Sequence, residues 1–243
     1  MKEIILATGS DEKYYQRALP YLKSVSRYST LENFCFCVDF EPTAMVESVA
    51  YEVVDPARLV APLNNACLQH GEFVRIVDFH PSDVVIFTDA DLRMQRAFTE
   101  DELSEFLALN ADSFMVGFNA GPRDTLRKEA HRLGLLKSEP ELEDAFGNLD
   151  SPCYNVGVAA ARAECWDFIC GLYAELFPEI STFFAHVARQ QWLISWIVNS
   201  YLLPVPMPLS IHAHGHYGMP AGCCHVGSEI HYEGGPVVFR HKL

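Results

Sequence analysis

Basic residues are scarce in this 243-residue sequence: 18 Lys and Arg stand against 32 Asp and Glu, a formal net charge of −14 at pH 7. Such a surface repels nucleic acid and anionic bilayers, which excludes both as non-specific partners. A phosphorylated small molecule is not excluded, because a bound cation reverses the field locally. Long apolar runs are also missing. The most apolar stretch, 183–208, is interrupted by Arg189, Gln190, Gln191, Asn199 and three prolines, so it does not read as a transmembrane segment. The apolar start, MKEIILATGSDE, is too short for a signal peptide. The eight cysteines sit mostly in apolar surroundings, and Cys223 and Cys224 are adjacent instead of spaced as C-x-x-C. This pattern reads as a reduced thiol set and points to the cytoplasm. No internal repeat, low-complexity tract or linker breaks the chain.

What is present is ordinary globular material, 49% apolar and 21% charged, enough for one domain over 1–243. Strand-like runs at 3–8, 33–40, 49–55, the segment DVVIFTDAD, 113–119 and 154–161 alternate with helical spacing over 12–27, 64–78, 163–177 and 183–201. Pro20 is expected to kink or divide the first helix. Thr99 followed by Glu102 forms a capping box that opens another, and 122–137 is charged and helix-prone. The alternation predicts an α/β fold with a mainly parallel central sheet flanked by helices. Sheets of that kind bind ligands beyond the carboxyl ends of their strands. Asp11, Asp39, Asp89 and Asp91 all fall at or just past such ends.

The segment VVIFTDADLR, 84–93, drives a buried strand directly into two carboxylates. They repel each other and are costly to desolvate unless a cation joins them. In extended chain, residues two apart point the same way, so Asp89 and Asp91 could hold Mg²⁺ or Mn²⁺, which take oxygen ligands together with water and substrate phosphate. The bland alternative is a polar strand end leading to a solvated loop. The phosphatase motif D-x-D-x-T is a poor match, since Arg93 stands at its fifth position. His212, His214 and His216 alternate and could be read as a zinc site, but no H-E-x-x-H motif accompanies them. Gln190 falls in a stripe with Phe183, Val187, Ile194, Ile197 and Tyr201, where an unpartnered amide costs about 1–3 kcal/mol. It needs a buried partner or a sugar hydroxyl.

ATGSDEKY, FTDADL, NVGV at 155–158, the glutamine pair and a terminal strand carrying histidine occur in that order. The order resembles the nucleotide-sugar-dependent glycosyltransferases of the GT-A fold, closest to the family 8 enzymes that include glycogenin and bacterial galactosyltransferases. The resemblance implies a single Rossmann-like domain, with a nucleotide-binding half over about 1–120 and an acceptor and sugar half over about 121–243. It implies transfer of a hexose from a nucleotide-diphosphate sugar, with uridine favoured, to a glycan, lipid, protein or small-molecule acceptor. It casts Ala7, Thr8, Asp11, Tyr14, Asp39, Arg75 and Lys242 as nucleotide contacts, with Arg240 an alternative phosphate partner to Lys242. Asn155 and Gly157 stand beside the sugar, and Asp89, Asp91 and His241 become ligands of Mn²⁺ or Mg²⁺. Gln190 and Gln191 stand where the family carries Asp-Gln, which leaves the anomeric outcome open. The chain is compatible with a homo-oligomer. Two other classes stay in view, a metal-dependent nucleotidyltransferase and a non-catalytic nucleotide- or sugar-binding module. The first lacks its early Gly-rich loop with a following basic residue.

Overall fold

The computed structural model describes residues 3–59, 73–118, 125–184, 189–213 and 221–241. A seven-stranded sheet occupies the centre. Its strands in chain order are β1 (Ile4–Asp11), β2 (Glu32–Val38), β3 (Ala50–Val54), β4 (Val84–Thr88), β6 (Ser113–Phe118), β7 (Tyr154–Arg162) and β8 (Leu203–Pro206). They lie side by side in the order β3-β2-β1-β4-β7-β6-β8. Every neighbouring pair is parallel except the two that involve β7, which runs against β4 and β6. The mainly parallel α/β architecture expected from the sequence is therefore the one observed. Helices α1 (Glu12–Tyr28), α2 (Glu100–Leu107), α3 (Leu126–Leu133), α4 (Glu139–Phe146), α5 (Ala163–Ile180) and α6 (Arg189–Tyr201) cover the two faces. The expected helix over 64–78 falls mostly outside the described residues.

The inner strands are buried on both faces, so alternate residues feed two cores. Ala7, Phe36, Phe87, Phe114 and Ala159 pack with α3 to α6, while Leu6, Cys35, Ile86, Met115 and Ala160 pack with α1 and α2. Trp166, Trp192 and Phe73 are fully buried on the first side and dominate its apolar area. Asp11 caps α1 by accepting the Tyr14 N–H. Pro20 lies inside that helix without dividing it. Pro20 and Gln16 both face outward, so the carbonyl that loses its donor can be hydrated. The Thr99–Glu102 capping box forms in full. Edge strand β8 carries Pro204 and Pro206, while the Leu203 and Met207 N–H groups bond to Asp112 and Val116. Its missing donors therefore face solvent, which blunts the edge.

Two small sheets sit beside this core. One holds β5 (Leu92–Met94), β13 (Phe239–His241) and β9 (His212–Ala213), with β13 in the middle. The other is the meander β10 (Cys223–Val226), β11 (Glu229–Tyr232) and β12 (Gly235–Pro236). The terminal strand expected to carry histidine is thus confined to Phe239–His241 among the described residues. Val237 and Val238 cross between the sheets, their N–H groups bonding to Ile230 and Ser210.

Candidate active site

Strands β2, β1 and β4 are adjacent and parallel, so Asp39, Asp11 and Asp89 leave the sheet along one edge. At about 4.8 Å between strands, the three exits span roughly 10 Å. Asp11 spends one carboxylate oxygen on the Tyr14 N–H, 2.8 Å away, where the helix dipole also favours its charge. Tyr14 is half-buried, with the Lys13 ammonium 5.5 Å and the Arg17 guanidinium 5.2 Å from its ring centroid. Asp39 is exposed in a left-handed conformation, φ 62°, its N–H held by the Val54 carbonyl at 3.0 Å. Asx residues tolerate that region better than other residues with a Cβ.

Extended chain was expected through Asp89 and Asp91, and here the structure differs. β4 stops at Thr88, and 89–92 form a turn closed by Leu92 N–H to the Asp89 carbonyl at 3.4 Å. Ala90 is buried against Ala18 of α1, so only a small residue fits between the two aspartates. Asp89 is half-buried and Asp91 exposed. At this turn the chain leaves the central sheet and starts β5 in a separate one. Across β5, the register pairs Leu92 with His241, which places the backbone of that histidine one residue from Asp91. The His241 side chain, and all of Lys242, lie outside the described residues.

NVGV forms a bulge. Pairing between β6 and β7 runs to Val116 with Ala159, then resumes at Gly117 with Asn155. The loop re-aims Asn155: its Oδ1 accepts the Gly157 N–H at 2.9 Å, while the Gly157 carbonyl accepts the Asp89 N–H at 2.8 Å. Asn155 and Gly157 are therefore tied to the aspartate turn through main-chain geometry. His212, only 4% exposed, completes this wall. Its Nδ1 lies 3.4 Å from where a Cβ on Gly117 would stand, and the Asn155 Cβ lies 4.0 Å from the same point. Sequence reasoning weighed His212 only as a zinc ligand, and the alternating histidines drew attention away from its glycine seat. His214 and His216 lie outside the described residues.

The other expected contacts are placed as follows. Ala7 is fully buried, and Thr8 donates its hydroxyl to the Thr88 carbonyl at 2.7 Å. Both side chains are turned into the sheet. Arg75 pairs with Asp167 on α5 at 2.5 Å and also reaches its carbonyl, which turns the guanidinium toward that helix. Gln191 lies in the first turn of α6, and its carbonyl accepts the Ser195 hydroxyl, which in turn accepts the Tyr154 N–H. That chain anchors the start of α6 beside Asn155. Gln190 is part of the same turn, and its side chain lies outside the described residues.

Two kinds of arginine follow the aspartate turn. Arg96 bonds both oxygens of buried Glu102 at 2.7 and 2.8 Å, and also the carbonyls of Pro236, Ala97 and Ser210. Burial would raise the Glu102 pKa, but hydrogen bonds from Arg96, Thr99 and Ser210 outweigh it and hold it below the ordinary value. Arg93 instead faces Arg240 across β5 and β13. Burial lowers its pKa first, Arg240 lowers it further, and Asp91 works in the opposite direction.

Among the described residues no group of three His, Cys, Asp or Glu side chains is placed to hold a metal ion. The donor set open to test is Asp89 and Asp91 with the strand that delivers His241. Two carboxylates on one turn suit a hard divalent cation, so the residues present fit Mn²⁺ or Mg²⁺.

No protein-family model and no curated protein sequence matches the chain. Solved structures do. The galactosyltransferase LgtC, in complex with donor and acceptor sugar analogs, superposes with a TM-score of 0.63 at 11% identity, over 98% of this chain and 86% of that one. An active-site mutant of LgtC, with glutamine replaced by glutamate, gives 0.59 at 12% identity over the same shares. The likeness is one of fold, and the fold is GT-A. No described helix is long and apolar enough to cross a membrane.

Proposed function

We propose that the protein is a metal-dependent glycosyltransferase that moves a hexose from a nucleotide-diphosphate sugar, a UDP-sugar by preference, to an acceptor. One observation carries this reading: the turn bearing Asp89 and Asp91, the Asn155 bulge and the strand end bearing His241 converge at the carboxyl edge of a GT-A sheet. Asp89, Asp91 and His241 would hold the cation. When bound, Mn²⁺ or Mg²⁺ neutralises the charge that develops on the leaving diphosphate. Asp11 and Tyr14 border the nucleoside, and Asp39 closes that side of the edge. Asn155 already accepts through Oδ1 from Gly157, which orients its amide NH₂ to donate to a sugar hydroxyl. Gly157 brings its backbone close to the same sugar. Arg75 contacts the nucleotide by exchanging its exposed, weak ion pair with Asp167 for the donor.

LgtC is described with donor and acceptor sugar analogs, and its mutated active-site residue is a glutamine. Gln190 and Gln191 are the glutamines that suit such a place here, in the first turn of α6 beside Asn155. The test needs no acceptor, because water can replace it. The protein is incubated with UDP-glucose or UDP-galactose and Mn²⁺, and the products are separated. Release of UDP with free hexose is expected. Pyrophosphate instead would mark a nucleotidyltransferase, and tight binding without turnover of any nucleotide sugar would mark a binding module; either would refute the proposal.

A further inference from the structure

Antiparallel register sets Arg93 of β5 directly opposite Arg240 of β13. Directly opposed residues share a face, with Cβ atoms about 5 Å apart, and like charges so placed are destabilising. A protein of net charge −14 has acidic groups to spare, yet among the described residues neither arginine has a carboxylate within ion-pair distance. Arg93 donates to the carbonyl of its own neighbour, Leu92, at 2.5 Å. The carboxylate bearing on it is Asp91, at the turn proposed to hold a cation. On the other flank of Arg240 the register sets a methyl group, Ala213. Both arginines are half-buried. Three residues along, Arg96 shows how this fold treats a structural arginine, with a bidentate carboxylate and carbonyls around it.

We infer that Arg93 and Arg240 form an oxyanion site that takes a phosphate group in the fork between their two guanidinium groups. Paired guanidinium groups present planar, bidentate donors to phosphate, and a dianion between them turns the adverse pair favourable. The phosphate comes either from the donor diphosphate, beside Asp91, or from a phosphorylated acceptor. The donor arm rests on the proposed function; the metal-free arm does not.

Thermal unfolding of the full chain in EDTA, with inorganic pyrophosphate as probe, tests the site. Pyrophosphate raises the wild-type midpoint, Arg93→Gln and Arg240→Gln each lower that rise, and the double variant abolishes it. Without pyrophosphate, each single variant unfolds at or above the wild-type temperature, because a like-charge contact is gone. Arg93→Lys with Arg240→Lys keeps the charges, loses the forks and keeps a smaller rise, which guards against a double Gln variant that fails to fold. Isothermal titration with UDP and Mn²⁺ then separates the sources. UDP binding about tenfold weaker in the double Gln variant assigns the site to the donor diphosphate. Unchanged UDP affinity, with the pyrophosphate rise lost, assigns it to a phosphorylated acceptor. A rise equal in wild type and in the Gln variants, or no rise in wild type, overturns the anion site. Failure of wild type to bind UDP while the rise persists overturns the donor reading alone.

Discussion

Arg96 and Arg93 leave the same short stretch of chain three residues apart, and their surroundings differ. Arg96 is enclosed: two carboxylate oxygens and three carbonyls take its donors, and it ties α2 to Ser210 and the meander. Arg93 meets another arginine. One charge is neutralised inside the fold, where the pair is worth keeping only because every partner is in place. The other has no carboxylate within ion-pair distance among the described residues, and Asp91 is the one that bears on it. The lesson is that a few residues past one strand end the chain changes from building a site to bracing it. Gln95 makes the same point, clamping the Ile230 and Val237 carbonyls and the Ile230 N–H against β5.

The largest effect is expected on the site side. Asp91→Asn should lower transfer on the order of a hundredfold or more while the unfolding midpoint stays near wild type, since Asp91 is exposed and outside the core. Donor-turnover assays and a thermal melt check both halves. On the bracing side, Arg96→Met should cost about 3 kcal/mol of stability, because Glu102 is left buried without its cation. Chemical denaturation measures this, and a loss below about 1 kcal/mol would place Arg96 with the weak surface pairs. Acid should separate the two regions next. Glu102 is held below its ordinary 4.5, so its contribution is complete above that value and is lost as the pH falls through the depressed folded-state value. Stability should therefore decline below about pH 4.5 in wild type and less steeply in Glu102→Gln. The smallest effect belongs to Thr8→Val. Losing the hydrogen bond to Thr88 should cost about 1 kcal/mol and leave UDP affinity unchanged, as a sheet residue requires.

Most of the central sheet was legible because its signal is local. Apolar runs such as VVIFT and NFCFCV announce strands buried on both faces, and turn residues mark where they stop. The Asp11, Asp39, Asp89 and Asp91 exits followed from strand ends alone, and the Thr99–Glu102 box from its spacing. Ala7 and Thr8 show the limit: β1 runs on to Asp11, so residues read as the strand's end are its interior. The small sheets were not legible. Strands of two or three residues, such as His212–Ala213 and Phe239–His241, are too short to carry a period, and their partners lie far away in sequence. For the same reason the Arg93–Arg240 pairing and the seat of His212 over Gly117 could be found only once register was known.

The central claim is that Asp89 and Asp91 hold a divalent cation that binds the donor's diphosphate. Its most direct measurement is UDP affinity by isothermal titration, with and without Mn²⁺, for wild type and Asp89→Asn/Asp91→Asn. Mn²⁺ should strengthen UDP binding by about tenfold or more in wild type and leave the double variant unaffected. The same Mn²⁺ dependence in both proteins would contradict the account.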